Sequence, residues 1–197
     1  MPYTLLRQDA TPDSWMVLTI RQIPRRVWLT GTPWQGITEP VQVVLAAGRD
    51  SASDFLELPC PVVSDRMRSA LDRAGVDNIQ YLRASLEQRL SDRAITGYWI
   101  ANVFGTVACV DRERSVIESE SESYAGYLRS FQVDLRATHA LRLFRVAADR
   151  RLIAIHERVR AALEEARLRG VLYQSTSAYD GYPVSSASPR PAVERGW

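Results

Sequence analysis

The sequence contains no lysine, and all 25 of its basic residues are arginine. This absence excludes a Schiff-base lysine, a Walker-type phosphate-binding lysine and any catalytic base that depends on a lowered lysine pKa. An arginine-only surface still suits paired hydrogen bonding to carboxylates or phosphates, because the guanidinium is planar and carries several donors. The net charge is only +2, so charge alone does not indicate binding to nucleic acid or to a membrane.

Cysteine and histidine are also scarce, with two of each. Cys60 and Cys109 lie in apolar runs, so we expect buried, reduced thiols rather than a disulfide framework. The cysteines are 49 residues apart and the histidines 17 apart, which matches no zinc-binding spacing. The sequence also has no G-x-G-x-x-G motif and no EF-hand loop, so we predict neither a metal nor a cofactor.

Long hydrophobic runs are missing as well. No stretch of 18 or more apolar residues exists, so we predict no membrane-spanning segment. Residues 1–14 do not combine a basic start with an apolar run, which is the pattern of a secretion signal. We therefore expect a cytoplasmic protein that does not associate with membranes.

The most informative feature present is an internal duplication. Residues 63–81 align without gaps to residues 155–173, and 6 of the 19 positions are identical. The identical pairs are Arg66/Arg158, Arg68/Arg160, Ala70/Ala162, Leu71/Leu163, Ala74/Ala166 and Tyr81/Tyr173. The offset of 92 residues is too long for a solenoid repeat, so we infer two copies of one structural element.

Each copy predicts a strand, a helix and a second strand. In the first copy Ser64 supplies an oxygen suited to cap a helix N-terminus, and His156 holds the matching position in the second. Helical spacing places Met67, Ala70, Leu71 and Ala74 on one apolar face, and the second copy repeats this stripe. Gly75 and Gly170 are positioned to end or follow the helices.

The remaining segments are mainly β in character. Apolar, β-branched or aromatic runs predict strands, and Leu86 and Leu90 suggest a short helix over 85–93. The predicted strands are at 15–20, 26–30, 41–45, 97–110, 131–135 and 140–146. We predict an α+β fold with a mainly antiparallel sheet and two duplicated strand–helix–strand elements, at 63–81 and 155–173. The parts of the chain are a β-rich N-terminal part (1–53), an α+β domain (54–173) and a flexible Ser/Pro-rich tail (174–197).

Charge is unevenly distributed along the chain. Residues 136–173 hold nine arginines against four acids, which suits either phosphate binding or a helix face that pairs its own charges. Residues 111–122 hold five carboxylates against two arginines, and they form either a solvated hairpin loop or an acidic surface for a basic partner. The predicted partner-binding residues are Asp111, Glu113, Glu118, Glu120 and Glu122.

A nucleophilic site is a further alternative. Cys109, Asp111 and either His139 or His156 supply the residue types of a cysteine hydrolase. Cys109 ends an apolar strand, however, and an inert buried thiol is the commoner outcome there. Helix capping also explains His156 without catalysis, so we predict that the protein is not an enzyme.

Several motifs together resemble a known family. These motifs are DFLELPCPVVSDRMRSAL (54–71), YWIANV (98–103), CVDRERS (109–115) and LFRV to IAIHERVRAAL (143–163). Together they resemble the motifs of the bacterial immunity proteins numbered family eleven, which are associated with polymorphic toxin systems. The resemblance covers about 54–173. It implies a non-catalytic protein that binds and neutralises a cognate toxin encoded nearby. The alternative is a small regulatory module that binds a ligand or nucleic acid through residues 136–173.

Overall fold

A computed structural model of the chain describes residues 2–46, 52–88, 94–117 and 128–187. In these ranges the strands, numbered in chain order, are β1 (Tyr3–Gln8), β2 (Val17–Ile20), β3 (Val41–Leu45), β4 (Phe55–Leu56), β5 (Val62–Ser64), β6 (Ile79–Gln88), β7 (Ala94–Val103), β8 (Thr106–Val107), β9 (Val116–Ile117), β10 (Leu128–Arg129), β11 (Leu143–Val146), β12 (Asp149–His156) and β13 (Val171–Ser175). The helices are α1 (Asp65–Arg73) and α2 (Glu157–Glu165), and 3-10 turns cover Arg25–Val27, Arg112–Arg114 and Thr176–Ala178. Neither of these helices has the length and apolar content needed to span a membrane.

The strands form two large sheets and one small one. The six-stranded sheet has the order β2-β3-β6-β7-β5-β4, and the five-stranded sheet has the order β13-β1-β12-β11-β8. Strands β9 and β10 pair separately. The β3–β6 and β8–β11 pairs are parallel, and the other described strand pairs are antiparallel. The predicted α+β fold with mainly antiparallel sheets is therefore confirmed.

The duplication is visible in the strand register. In the first copy β7 lies between β5 and β6, with Val63 opposite Trp99 and Tyr81 opposite Ala101. In the second copy β1 lies between β12 and β13. There, Ile155 is opposite Thr4 and Tyr173 is opposite Leu6. Each duplicated segment thus contributes two strands and a helix to a three-stranded unit. The middle strand of the first unit is β7, which follows the segment in the sequence, and that of the second unit is β1, at the N-terminus.

The helices begin and pack as their sequences predict. Ser64 Oγ accepts the Met67 N–H at 3.2 Å, and His156 Nδ1 accepts the Arg158 N–H at 3.2 Å. Met67, Leu71, Val159 and Leu163 are fully buried. They share one apolar core with inward-facing residues of both large sheets, including Leu6, Val63, Val103 and Ile153. The two helices therefore join the copies through a common core.

The predicted strand at 26–30 is wrong. A 3-10 turn at Arg25–Val27 follows Pro24, and two tryptophans pack beneath the loop against the six-stranded sheet. The indole N–H of Trp28 donates to Ile23 O, and that of Trp34 donates to Val27 O, each at 3.0 Å. The segment thus packs its tryptophan side chains on one face of the six-stranded sheet but does not form a strand of that sheet.

Two further local predictions are wrong. Residues 85–88 continue β6 instead of forming a helix, because the buried residues Leu82, Ala84 and Leu86 alternate with more exposed ones, as in a strand. Residues 89–93 lie outside the described residues. The segment 131–135 contributes a single bridge from Val133 to Val110 rather than a strand.

The apolar run 97–110 forms two strands instead of one. Strand β7 ends at Val103, and the chain turns through Gly105, whose φ of 86° is in the left-handed region that favours glycine. Strand β8 then pairs with β11. The run therefore crosses from the six-stranded sheet to the five-stranded one.

The predicted flexible tail, residues 174–197, includes residues that are structured. Residues 171–175 form an edge strand on β1, and Tyr179 is buried beside the guanidinium of Arg7, whose Cζ is 5.5 Å from the ring centre. Further along, the Ala10 N–H donates to Val184 O at 2.8 Å. Long-range contacts thus order residues 174–187, whereas residues 188–197 lie outside the described ones.

A buried carboxylate connects the two copies. Asp54 accepts hydrogen bonds from the Ser64 hydroxyl, from the Arg169 N–H at 2.7 Å and from the Arg66 guanidinium at 3.3 Å. Arg66 also donates to Ala166 O at 2.8 Å, at the C-terminal end of α2. The first turn of α1 and the chain that follows α2 are therefore held by the same group.

We predict that Asp54→Ala destabilises the protein by about 3 kcal/mol, because it leaves buried donors unpaired and removes the link between the copies. Urea unfolding followed by circular dichroism measures the change. Asp77→Ala is the matched control, since Asp77 is exposed and forms no hydrogen bond or ion pair with the described residues. The control should unfold within about 0.5 kcal/mol of the unaltered protein. Equal stability of the two variants would contradict the role given to Asp54.

Candidate functional site

The two copies place an arginine, an acid and a tyrosine at matching positions. In the second copy Arg160 pairs with Glu164 at 2.8 Å, and its guanidinium carbon is 5.4 Å from the centre of the Tyr173 ring. In the first copy Arg68 lies 3.8 Å from Asp72, and its guanidinium carbon is 4.9 Å from the centre of the Tyr81 ring. The arginine and the acid are one helical turn apart, and the tyrosine lies on the strand that follows.

The first copy adds a tryptophan to this arrangement. Trp99 occupies the register position that Thr4 holds in the second copy. The guanidinium carbon of Arg68 lies 4.0 Å from the centre of its ring system, within the range of a cation–π contact. The indole N–H of Trp99 donates to Asp65 at 2.6 Å, which fixes the ring beside α1. Arg68 therefore lies on an aromatic platform that the second copy lacks.

A groove opens beside this platform, and we call it the arginine groove. It encloses about 400 Å³ and is lined by Glu39, Pro40, Arg68, Tyr81, Arg83 and Trp99. Tyr81 and Arg83 are two residues apart on β6 and so face the same side of the sheet. Glu39 reaches the groove from the segment before β3 and accepts the Arg83 N–H at 2.6 Å.

Two polar groups of the arginine groove lack partners among the described residues. The Tyr81 hydroxyl is buried and forms no hydrogen bond there. Burial raises the pKa of Tyr81, and the nearby Asp72 carboxylate raises it further, so the hydroxyl keeps its proton. The exposed Arg83 guanidinium has neither an ion pair nor a hydrogen bond to a described residue. The Arg83 guanidinium is therefore the group of the two that can donate hydrogen bonds to a ligand in the groove.

The predicted acidic contact residues are only partly described. Asp111 accepts the Glu113 N–H at 3.1 Å and lies 3.7 Å from the Arg114 guanidinium, while Glu113 is exposed. Glu118, Glu120 and Glu122 lie outside the described residues. Asp111 and Arg114 border a second groove of about 310 Å³ together with Asp134 and Arg136. In the described part of this segment, acidic and basic side chains thus alternate.

Comparison with known protein families identifies the chain. Residues 16–178 match the model of the immunity protein family (Imm11). The chain belongs to this family. The match begins well before residue 54, so it includes β2 and β3, which the sequence resemblance did not cover. No curated protein matches the chain.

Both thiols of this immunity protein are protonated at neutral pH. Cys60 and Cys109 are free and buried. Burial raises the pKa of Cys60 to about 12 and that of Cys109 to about 11, with Arg145 lowering the first in part and Asp134 raising the second. Because the thiolate is the nucleophile, neither thiol is activated. The predicted burial of both thiols is therefore confirmed.

The histidines do not complete a catalytic triad. His156 caps α2 and packs edge-on against Tyr3, with the ring centres 5.3 Å apart, while His139 is exposed. No hydrogen bond joins Cys109 to either histidine in the part of the chain that the structure describes. The same part contains no group of three or more histidine, cysteine or acidic side chains suited to hold a metal ion.

Internal contacts engage much of the basic segment 136–173. Arg145 is fully buried and donates to Arg150 O at 2.8 Å, and burial lowers its pKa. Arg151 pairs with Asp149 at 2.7 Å, and Arg142 donates to Ala74 O at 2.8 Å, at the end of α1. With Arg160, which pairs with Glu164, four of the nine arginines bind the protein itself.

Sequence reasoning did not find the arginine groove. Its residues come from separate elements, and Glu39 meets Arg83 only because β3 pairs with β6. The usable signal was the duplication, because Arg68 and Tyr81 are two of the six identical positions. Trp99 carried no such signal, since its counterpart Thr4 lies outside the aligned segments.

We predict that neither cysteine reacts rapidly with Ellman's reagent in the native protein at pH 8. With a pKa of about 11, only about one Cys109 in a thousand is a thiolate at that pH. Reactivity should rise as the pH approaches 11, and both thiols should react at once in guanidinium chloride. Cys109→Ala should label as slowly as the unaltered protein. Rapid labelling that this variant abolishes would contradict the burial and revive the cysteine hydrolase alternative.

Proposed function

We propose that this immunity protein binds and neutralises a cognate bacterial toxin, encoded nearby, by stoichiometric occlusion in the cytoplasm. The observation that carries the proposal is the family match over residues 16–178. A standard protein–protein interface buries on the order of 1,600 Å² and draws much of its energy from a few arginine, tyrosine and tryptophan residues. The surface around Arg68, Tyr81 and Trp99 has this composition.

We propose that the protein acts without catalysis of its own. The high pKa values of Cys60 and Cys109 support this part of the proposal, because a protonated thiol is a poor nucleophile. The complete absence of lysine also removes Schiff-base chemistry. Inhibition would then depend on one immunity protein remaining bound to one toxin molecule.

The acidic segment stays a predicted contact. It comprises Asp111, Glu113, Glu118, Glu120 and Glu122. Exposed Glu113 is free to steer a basic partner, whereas Asp111 already accepts a backbone N–H and lies near Arg114. We therefore assign this segment a role in the encounter rather than at the centre of the interface.

Contacts within the fold argue against the alternative of a regulatory module that binds nucleic acid through residues 136–173. Arg142, Arg145, Arg151 and Arg160 are engaged by carbonyls or carboxylates of the same chain. A phosphate backbone would need several free cations along one surface. The five remaining arginines are exposed, but they come from a turn, from β12, from α2 and from the chain after α2.

Co-expression with the product of the adjacent gene tests the proposal. We predict that this product arrests growth alone and that the immunity protein restores growth. With purified proteins, toxin activity should fall linearly with added immunity protein and vanish at equimolar ratio, because occlusion is stoichiometric. If the adjacent product is harmless alone, or still kills in the presence of this protein, the proposal fails. Complete inhibition at far lower ratios would contradict occlusion and indicate catalysis.

A further inference from the structure

The two copies use their matching arginines differently. Arg160 is held by Glu164 at 2.8 Å, within hydrogen-bond distance. Arg68 is 3.8 Å from Asp72, beyond hydrogen-bond distance, and lies on Trp99 instead. Ring contact orients the Arg68 guanidinium without saturating its donors. The second copy therefore has a self-contained ion pair, whereas the first retains unused hydrogen-bonding capacity.

The other groups of the arginine groove add to this capacity. Arg83 is exposed, and its guanidinium has no partner among the described residues. The Tyr81 hydroxyl also lacks a described partner, but it is buried and so is not exposed to the open groove. The only acid that lines the described groove is Glu39, which already accepts the Arg83 N–H. The lining thus carries two cations against one engaged anion.

This imbalance defines the chemistry of a ligand. Guanidinium groups donate hydrogen bonds and do not accept them. A carboxylate is the matching protein group, because it accepts only and can take two hydrogen bonds from one arginine. A volume of about 400 Å³ leaves ample room for the end of an acidic side chain, with Trp99 available for its aliphatic part.

We propose that the arginine groove receives an acidic side chain of the toxin, with Arg83 and Arg68 as its partners. This inference rests on the proposed function and names the contact through which it acts. The groove is open to solvent, where a lone ion pair contributes only about 0–1 kcal/mol. A toxin that covers the groove removes water from the pair, so a protein partner strengthens the contact in a way that a small free anion does not.

Charge reversal at Arg83 tests the inference. We predict that Arg83→Glu weakens binding of the purified adjacent-gene product about tenfold or more, measured by isothermal titration calorimetry. Its melting temperature should stay close to that of the unaltered protein, because Arg83 is exposed and its side chain has no described partner. The matched control is Arg158→Glu, since Arg158 is also exposed and its side chain has no partner among the described residues. This control should change the dissociation constant less than about threefold, since it alters long-range charge alone.

The possible outcomes separate the groove from the proposed function. If Arg83→Glu binds as tightly as the unaltered protein, or if both variants lose the same affinity, the groove does not receive the acid and the proposed function stands. If the unaltered protein does not bind the adjacent product, the proposed function fails and the occupant assigned to the groove fails with it. A toxin variant with one acid changed to arginine that binds Arg83→Glu better than the unaltered protein would identify the contacting side chain.

Discussion

The fold depends on the buried carboxylate of Asp54, which holds the two copies of the duplicated unit together. It accepts hydrogen bonds from the N-cap residue of α1, from the Arg66 side chain and from the backbone after α2. A buried anion is stable only when donors satisfy it, so this geometry is strongly specified. Arginines complete the junction, because Arg66 binds carbonyls at the end of α2 and Arg142 binds carbonyls at the end of α1. Two of the 25 arginines thus bind the carbonyl groups at the ends of the two helices.

The two copies differ in the contacts that their matching arginines make. The second copy keeps a short Arg160–Glu164 pair, and its middle strand carries Thr4 where the first copy carries Trp99. In the first copy Trp99, Tyr81 and Arg68 form a platform at the surface, and Arg83 extends beyond it on β6. The surface we assign to toxin binding is therefore a modified version of a structural contact that occurs twice in the fold.

Local signals predicted the duplicated elements well, because their determinants lie within one helical turn. Ser64 and His156 cap the helices, and Met67 and Leu163 occupy the buried stripes, as the spacing indicates. Predictions failed where contacts between residues far apart in the sequence determine the local structure. Leu86 follows the period of a strand because β6 is paired on both sides, and Tyr179 is buried against Arg7, which lies far away in the sequence. The arginine groove requires the β3–β6 pairing, so no local pattern could reveal it.

The most direct test of toxin contact at the first copy is hydroxyl-radical footprinting of the protein, free and bound to the adjacent-gene product. We predict that Trp99 and Pro40, which line the arginine groove, lose reactivity on binding because the toxin covers them. Leu135, which is 52% exposed and borders the second groove, should lose less. Unchanged reactivity of Trp99 and Pro40 in a saturated complex, with protection at Leu135 or Val116 instead, would contradict contact at the arginine groove and move it to the acidic segment.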